Sequence, residues 1–134
     1  VAANRQATEA GVPKCKPYFQ SKNLCEKKGV IALSSNYELY AELSTKMMQV
    51  IGRFAPEQHI YSIDESFLSF KQTYPAIPCL RTHGAKIRST VWKECRLPVC
   101  AGIGATLTLA KVANQAAKKL HHYNGGCVLD NDAE

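Results

Sequence analysis

The chain has 134 residues, 46% of them hydrophobic and 21% charged, the profile of about one globular domain with apolar material for a core. Seventeen Lys and Arg against eleven Asp and Glu leave a net charge of +6, which favours a polyanionic partner such as nucleic acid or a nucleotide phosphate. No run of about 18 apolar residues exists to cross a membrane as a helix, and the opening VAANRQATEA is too polar to read as a secretory segment.

The start without Met, in mid-pattern, reads as a piece of a longer chain. The six cysteines (Cys15, Cys25, Cys79, Cys95, Cys100 and Cys127) follow no framework spacing and form no C-x-x-C. They are expected to be reduced thiols of a cytoplasmic protein, several of them buried. A zinc site from Cys95, Cys100, His121, His122 and Cys127 is the sharper alternative, with poor ligand spacing.

In chain order, residues 1–11 read as the end of a short helix, closed by Gly11. Pro17 opens a second, PYFQSKNLCEKK, which stops at Gly29. VIALSS (Val30–Ser35) has the pattern of a short buried strand. Asn36 can cap a long helix in which Tyr40, Leu43, Met47, Val50 and Phe54 recur at steps of three and four, with Pro56 as its stop. Tyr37 and Tyr40 belong to its core stripe on that reading. HIYSIDESFLSF (His59–Phe70) is β-rich. A helix then follows Pro75 and Pro78, with Leu80, Ile87 and Val91 on one face. PVCAGIG (Pro98–Gly104) is a strand, and Thr106 caps a helix with Leu109, Val112, Ala113, Ala116 and Leu120 inward. After Gly125 and Gly126, CVLD makes a last strand. The order from residue 30 is β-α-ββ-α-β-α-β, an α+β fold of the split-βαβ (ferredoxin-like) kind with helices on one face of the sheet. Residues 1–29 form a lesser, mainly helical subdomain.

The most informative residues are Asp64 and Glu65 in YSIDESF. Two adjacent carboxylates in an apolar β segment are costly unless neutralised. Strand neighbours point to opposite faces, so both reach one site only if the backbone turns or bulges between them. One reading is a Mg²⁺ site, since that hard cation takes carboxylate oxygens and shares itself with phosphates; the other is a plain hairpin turn with solvated acids. In AGIGATLTLAK, a strand ending in Gly102-Ile103-Gly104 leads straight into a helix. This is either a phosphate seat or two glycines that let helix and strand pack closely. It matches neither a Walker A loop nor G-x-G-x-x-G, because Leu107 takes the third glycine position. Lys111, Lys118 and Lys119 on that helix either contact phosphates or form a solvated basic face. His59, His83, His121 and His122 suggest no triad and read as surface or helix-end residues.

Taken together and in order, SSNYELYAELS, YSIDESFLSF and AGIGATLTLAKVANQAAKK resemble the Y-family translesion DNA polymerases, in particular their UmuC-like branch, the catalytic subunits of bacterial DNA polymerase V. The S-I-D-E core and the G-I-G-x-T-x-T-L-A-K-x-A-N-x-A-A-K-K run carry the resemblance. It implies that residues 1–34 are part of a fingers subdomain and residues 35–134 a palm domain lacking its first strand. It also implies an error-prone polymerase in DNA repair and the SOS response, adding deoxynucleotides to a primer opposite damaged template by two-metal phosphoryl transfer. Asp64 would bridge both Mg²⁺ ions and Glu65 hold the one that activates the primer hydroxyl. Lys118 would meet the triphosphate, with Arg5 and Thr8 on the same nucleotide. Implied partners are primer-template DNA, deoxynucleoside triphosphates, UmuD-type accessory subunits, a RecA filament and a sliding clamp, in the bacterial cytoplasm and away from any membrane. This chain departs from the family at Thr8, where Arg or Lys is usual, and at Leu107, where Lys is common. It also lacks the strand that carries a third acidic ligand, so the chain alone is expected to be inactive. The alternatives are a degenerate paralogue that binds DNA or accessory subunits without catalysis, and, less favoured by S-I-D-E, a nucleotidyl cyclase on a similar palm.

Overall fold

The computed structural model describes residues 1–73 and 75–129, with the side chain of His121 also left undescribed. By internal contact the chain separates into two compact units, residues 1–36 and 37–134.

In the smaller unit, α1 (Arg5–Glu9) starts where the Asn4 side chain accepts from the Ala7 amide at 2.9 Å. That bond satisfies one of the free donors of the first turn. α2 (Tyr18–Lys28) begins after Pro17 and ends at Gly29, whose φ of 67° is the left-handed conformation that glycine adopts without a Cβ penalty. The Gly29 amide donates to the carbonyls of Cys25 and Glu26. Lys27 and Lys28 sit in the last turn, where cations complement the helix dipole. Val12, Ser21 and Cys25 are buried.

Residues 30–35 are not a strand. Ile31 and Leu33 are exposed, at 82% and 87%, and the Val30 amide is taken up by the Cys25 carbonyl at 2.9 Å. An apolar alternation signals compatibility with a sheet, and without a ladder partner it yields no strand.

The larger unit runs α3 (Tyr37–Gly52), β1 (Glu57–Ile60), β2 (Ser66–Ser69), α4 (Leu80–Cys95), β3 (Ala101–Gly104), α5 (Leu107–Lys119), a 3₁₀ turn over residues 121–123 and β4 (Gly126–Leu129). This is an α+β architecture, with the strands hydrogen-bonded two by two. β1 and β2 pair antiparallel, with Ile60 opposite Ser66. β3 and β4 pair in parallel, with Ala101 opposite Gly126 and Gly104 opposite Leu129. Asp130, expected to end the last strand, lies outside the described residues.

The main core joins Met47, Met48 and Val50 of α3 to Ile87 and Val91 of α4, with Leu68 and Phe70 packed against it. The expected α3 stripe holds at Met47 and Val50 and fails at its N-terminal end: Tyr37, Tyr40 and Leu43 are exposed. The helix stops at Gly52, before Phe54 and Pro56. His83, in the first turn of α4 and so a helix-end residue, is half-buried. It lies between Phe54 and Phe70, with ring centroids at 5.7 and 5.4 Å, and its Nε2–H donates to the Phe54 carbonyl at 2.8 Å. The bond fixes the Nε2–H tautomer.

α5 packs on β3 and β4 through Ala113 and Ala117, while Val112 and Leu120 are exposed. The reason is how closely the two backbones approach. A Cβ on Gly102 would lie 2.1 Å from the Asn114 amide nitrogen and 2.5 Å from the Ala110 carbonyl oxygen. Only small residues fit a helix at that distance, so the larger ones rotate aside. Close packing is therefore what the two glycines of AGIG serve. Thr106 caps α5 as expected, its hydroxyl accepting from the Leu109 amide at 3.2 Å.

Candidate active site

β1 and β2 form a hairpin whose turn, residues 61–65, carries the acidic pair. The Glu65 carbonyl accepts from the amides of both Tyr61 and Ser62 at 3.0 Å, which closes the turn. The Ser62 hydroxyl donates to Asp64 Oδ1 at 2.8 Å. The Ser44 hydroxyl on α3 donates to the Ile63 carbonyl and anchors the tip from beneath. Lower down, the Gln58 side chain donates to the Met48 carbonyl at 3.0 Å, a second tie between hairpin and α3. The two competing readings of Asp64 and Glu65 thus share one geometry: the acids sit on a hairpin turn, where the strand alternation that would part neighbouring side chains is interrupted.

Asp64 and Glu65 both line one trough of about 870 Å³. One wall is the hairpin, from Glu57 to Lys71; the other is β3 with the start of α5, and α4 contributes Ile87 and Arg88 between them. Lys111 of α5 faces Glu65. Its Nζ is 3.5 Å from Glu65 Oε2 and 4.5 Å from the centre of the Tyr61 ring. Tyr61 in turn meets Phe67 edge to face at 5.7 Å. On the same wall, Asn114 contributes a buried Oδ1 with no hydrogen-bond partner among the described residues. Such an unmet acceptor is uncommon in a native interior, and an entering donor would satisfy it.

The donor set suits a hard cation. Two neighbouring carboxylates offer oxygen ligands only, and Mg²⁺ commonly takes one or two carboxylates and completes its shell from water and substrate phosphate. Among the described residues no three His, Cys, Asp or Glu side chains gather as a metal cluster. The six cysteines are free, with Cys25 and Cys127 buried.

The other candidate residues are placed elsewhere. Lys118 and Lys119 are exposed in the last turn of α5, outside the trough lining. Arg5 and Thr8 belong to α1 in the smaller unit. Arg5 pairs with Glu9 at 2.9 Å, and the Thr8 hydroxyl donates to the Asn4 carbonyl at 2.9 Å. Leu107 lines the trough and is 62% exposed. Reading the sequence did not single out Tyr61 or Asn114, nor pair Lys111 with Glu65; only the rotation of α5 against the hairpin reveals those relations. Outside the trough, Cys79 has its thiol held below the usual range, chiefly because the Thr82 hydroxyl donates to its sulfur at 3.3 Å.

The impB/mucB/samB family profile matches residues 1–115. The chain belongs to the impB/mucB/samB family. The UmuC-like resemblance read from its motifs is therefore correct. It is 40% identical over 128 residues to protein UmuC of Salmonella typhimurium, covering 96% of this chain and 30% of that protein. It is 36% identical over 133 residues to protein MucB of Escherichia coli, covering 99% of this chain and 31% of that protein. This impB/mucB/samB chain thus spans about a third of the length of these relatives. Its fold is similar to that in the insertion ternary complex of Dbh DNA polymerase, with a TM-score of 0.83 at 20% identity over 96% of this chain and 36% of that one. Among the described residues no helix is long and apolar enough to cross a membrane.

Proposed function

We propose that the chain carries part of the catalytic site of a UmuC-like, error-prone DNA polymerase, which extends a primer opposite damaged template by two-metal phosphoryl transfer. The observation that carries this reading is the hairpin turn that brings Asp64 and Glu65 into one trough, in a chain of the impB/mucB/samB family. Magnesium bound there supplies charge neutralisation for the phosphoryl group in flight.

The chain's own residues do the rest. Asp64 and Glu65 would supply the carboxylate oxygens that hold the magnesium, Glu65 those for the ion that would activate the primer hydroxyl. Ser62 keeps Asp64 oriented through its 2.8 Å hydrogen bond. Ser44 and Gln58 hold the hairpin on α3, so that the acids ride on a fixed frame. By the resemblance, Lys118 on α5 would meet the incoming triphosphate, and in the smaller unit Arg5, one helical turn from Thr8, would stand in for the basic residue that Thr8 replaces. Selectivity in such an enzyme comes from template hydrogen bonding more than from shape exclusion. Its substrates are primer-template DNA and deoxynucleoside triphosphates. Its partners on the same reading are UmuD-type subunits, a RecA filament and a sliding clamp, in the bacterial cytoplasm.

Primer extension with Mg²⁺ tests the proposal, using a full-length family member that carries this chain. Templated extension is expected from the parent and none from Asp64→Asn. DNA binding without extension by the parent would make the protein a non-catalytic paralogue instead.

A further inference from the structure

We propose that Lys111 is the resident counter-cation of Glu65: it holds that carboxylate across the trough while no divalent ion is bound, and a divalent ion must displace it to bind. The inference rests on the reading that the acidic pair takes a metal.

Two contacts fix the ammonium group. It lies 3.5 Å from Glu65 Oε2 and 4.5 Å over the Tyr61 ring. Those partners are the first and last residues of one turn, already joined by the Tyr61 amide and the Glu65 carbonyl. Lys111 therefore touches both ends of that turn. The remaining lysines of α5 differ, for Lys118 and Lys119 make no ion pair among the described residues.

The pair is built for exchange. The side chains are 46% and 40% exposed, and an ion pair in contact with that much water adds little to stability. What it does set is the charge beside Glu65. A divalent ion on that carboxylate would stand within a few ångströms of the Lys111 ammonium, and like charges that close repel through any dielectric the trough offers. Without Lys111, Glu65 would turn towards solvent between binding events; with it, the oxygen stays in the trough at the cost of a competitor for the metal.

Manganese(II) binding to the full chain, followed by the loss of free Mn²⁺ signal in electron paramagnetic resonance at low ionic strength, tests this. Lys111→Met keeps the apolar stem over Tyr61 and removes the charge; it is expected to bind Mn²⁺ roughly tenfold more tightly. Lys111→Arg keeps the charge and should stay within about twofold of the parent, and the gain from Met should shrink as salt screens the repulsion. A thermal melt of each variant that matches the parent confirms that the fold is unchanged. Equal or weaker binding by Lys111→Met overturns the inference. Asp64→Asn separates the two levels. Lost Mn²⁺ binding in that variant beside no effect of Lys111→Met sinks only the counter-cation, whereas unchanged binding in Asp64→Asn removes the metal site itself.

Discussion

Gly102 has no room for even one more carbon. Its absent side chain would meet backbone atoms of α5, which give way only if the helix moves. Gly102→Ala is therefore expected to cost about 3 kcal/mol, read as a lower denaturant midpoint with an unchanged slope. The sequence permitted two readings of AGIG, a phosphate seat or close packing, because glycine serves both and only the distance to the next element separates them. Asp64 and Glu65 were legible for a different reason. Their charge in an apolar strand segment demands an explanation whatever the fold, and only a turn or bulge lets neighbouring acids of a strand share one site. Lys111 was not legible as a partner of Glu65. A helix shows its own periodicity in sequence but not its rotation against a hairpin forty-six residues earlier. His83 escaped likewise, since its aromatic neighbours Phe54 and Phe70 come from other segments.

Among the elements, α4 is the one that ties pieces together, and Arg88 is its main means. Its Nε donates to the Val99 carbonyl at 2.9 Å, just before β3, and its Nη1 to the Asn124 carbonyl at 2.7 Å, just before β4. One guanidinium thus holds the lead-in to both strands of the parallel pair, a use of its rigid fork that lysine cannot copy. Arg88→Met should lose about 2–3 kcal/mol, with Arg88→Lys recovering only part, as measured by chemical denaturation. Element type and order were largely readable, because capping residues and apolar periods are local signals. Thr106 and Gly29 act where they were expected to. The run VIALSS failed because strand formation depends on a neighbour that a local signal does not contain. The face expected for α5 holds at Ala113 and Ala116 and fails at Val112 and Leu120, because the closeness of β3 admits only small residues.

For the whole molecule, charge is uneven along the chain. Residues 1–36 hold six Lys and Arg against two Asp and Glu, while residues 37–134 hold eleven against nine. The smaller unit thus carries most of the excess, and on the polymerase reading it supplies sequence-independent attraction to phosphates. Lys27→Gln with Lys28→Gln should weaken DNA binding and reduce the slope of log affinity against log salt by about two, while leaving Mn²⁺ binding at the trough unaltered; fluorescence anisotropy across a salt series reads the first effect. Within the larger unit, the two strand pairs share no backbone ladder among the described residues. α4 packs against α3 on one side and against β3 and β4 on the other. The acids ride on the antiparallel pair and Lys111 on the helix that covers the parallel one, so the 3.5 Å contact of Lys111 with Glu65 is a side-chain tie between two strand pairs that no ladder joins among the described residues.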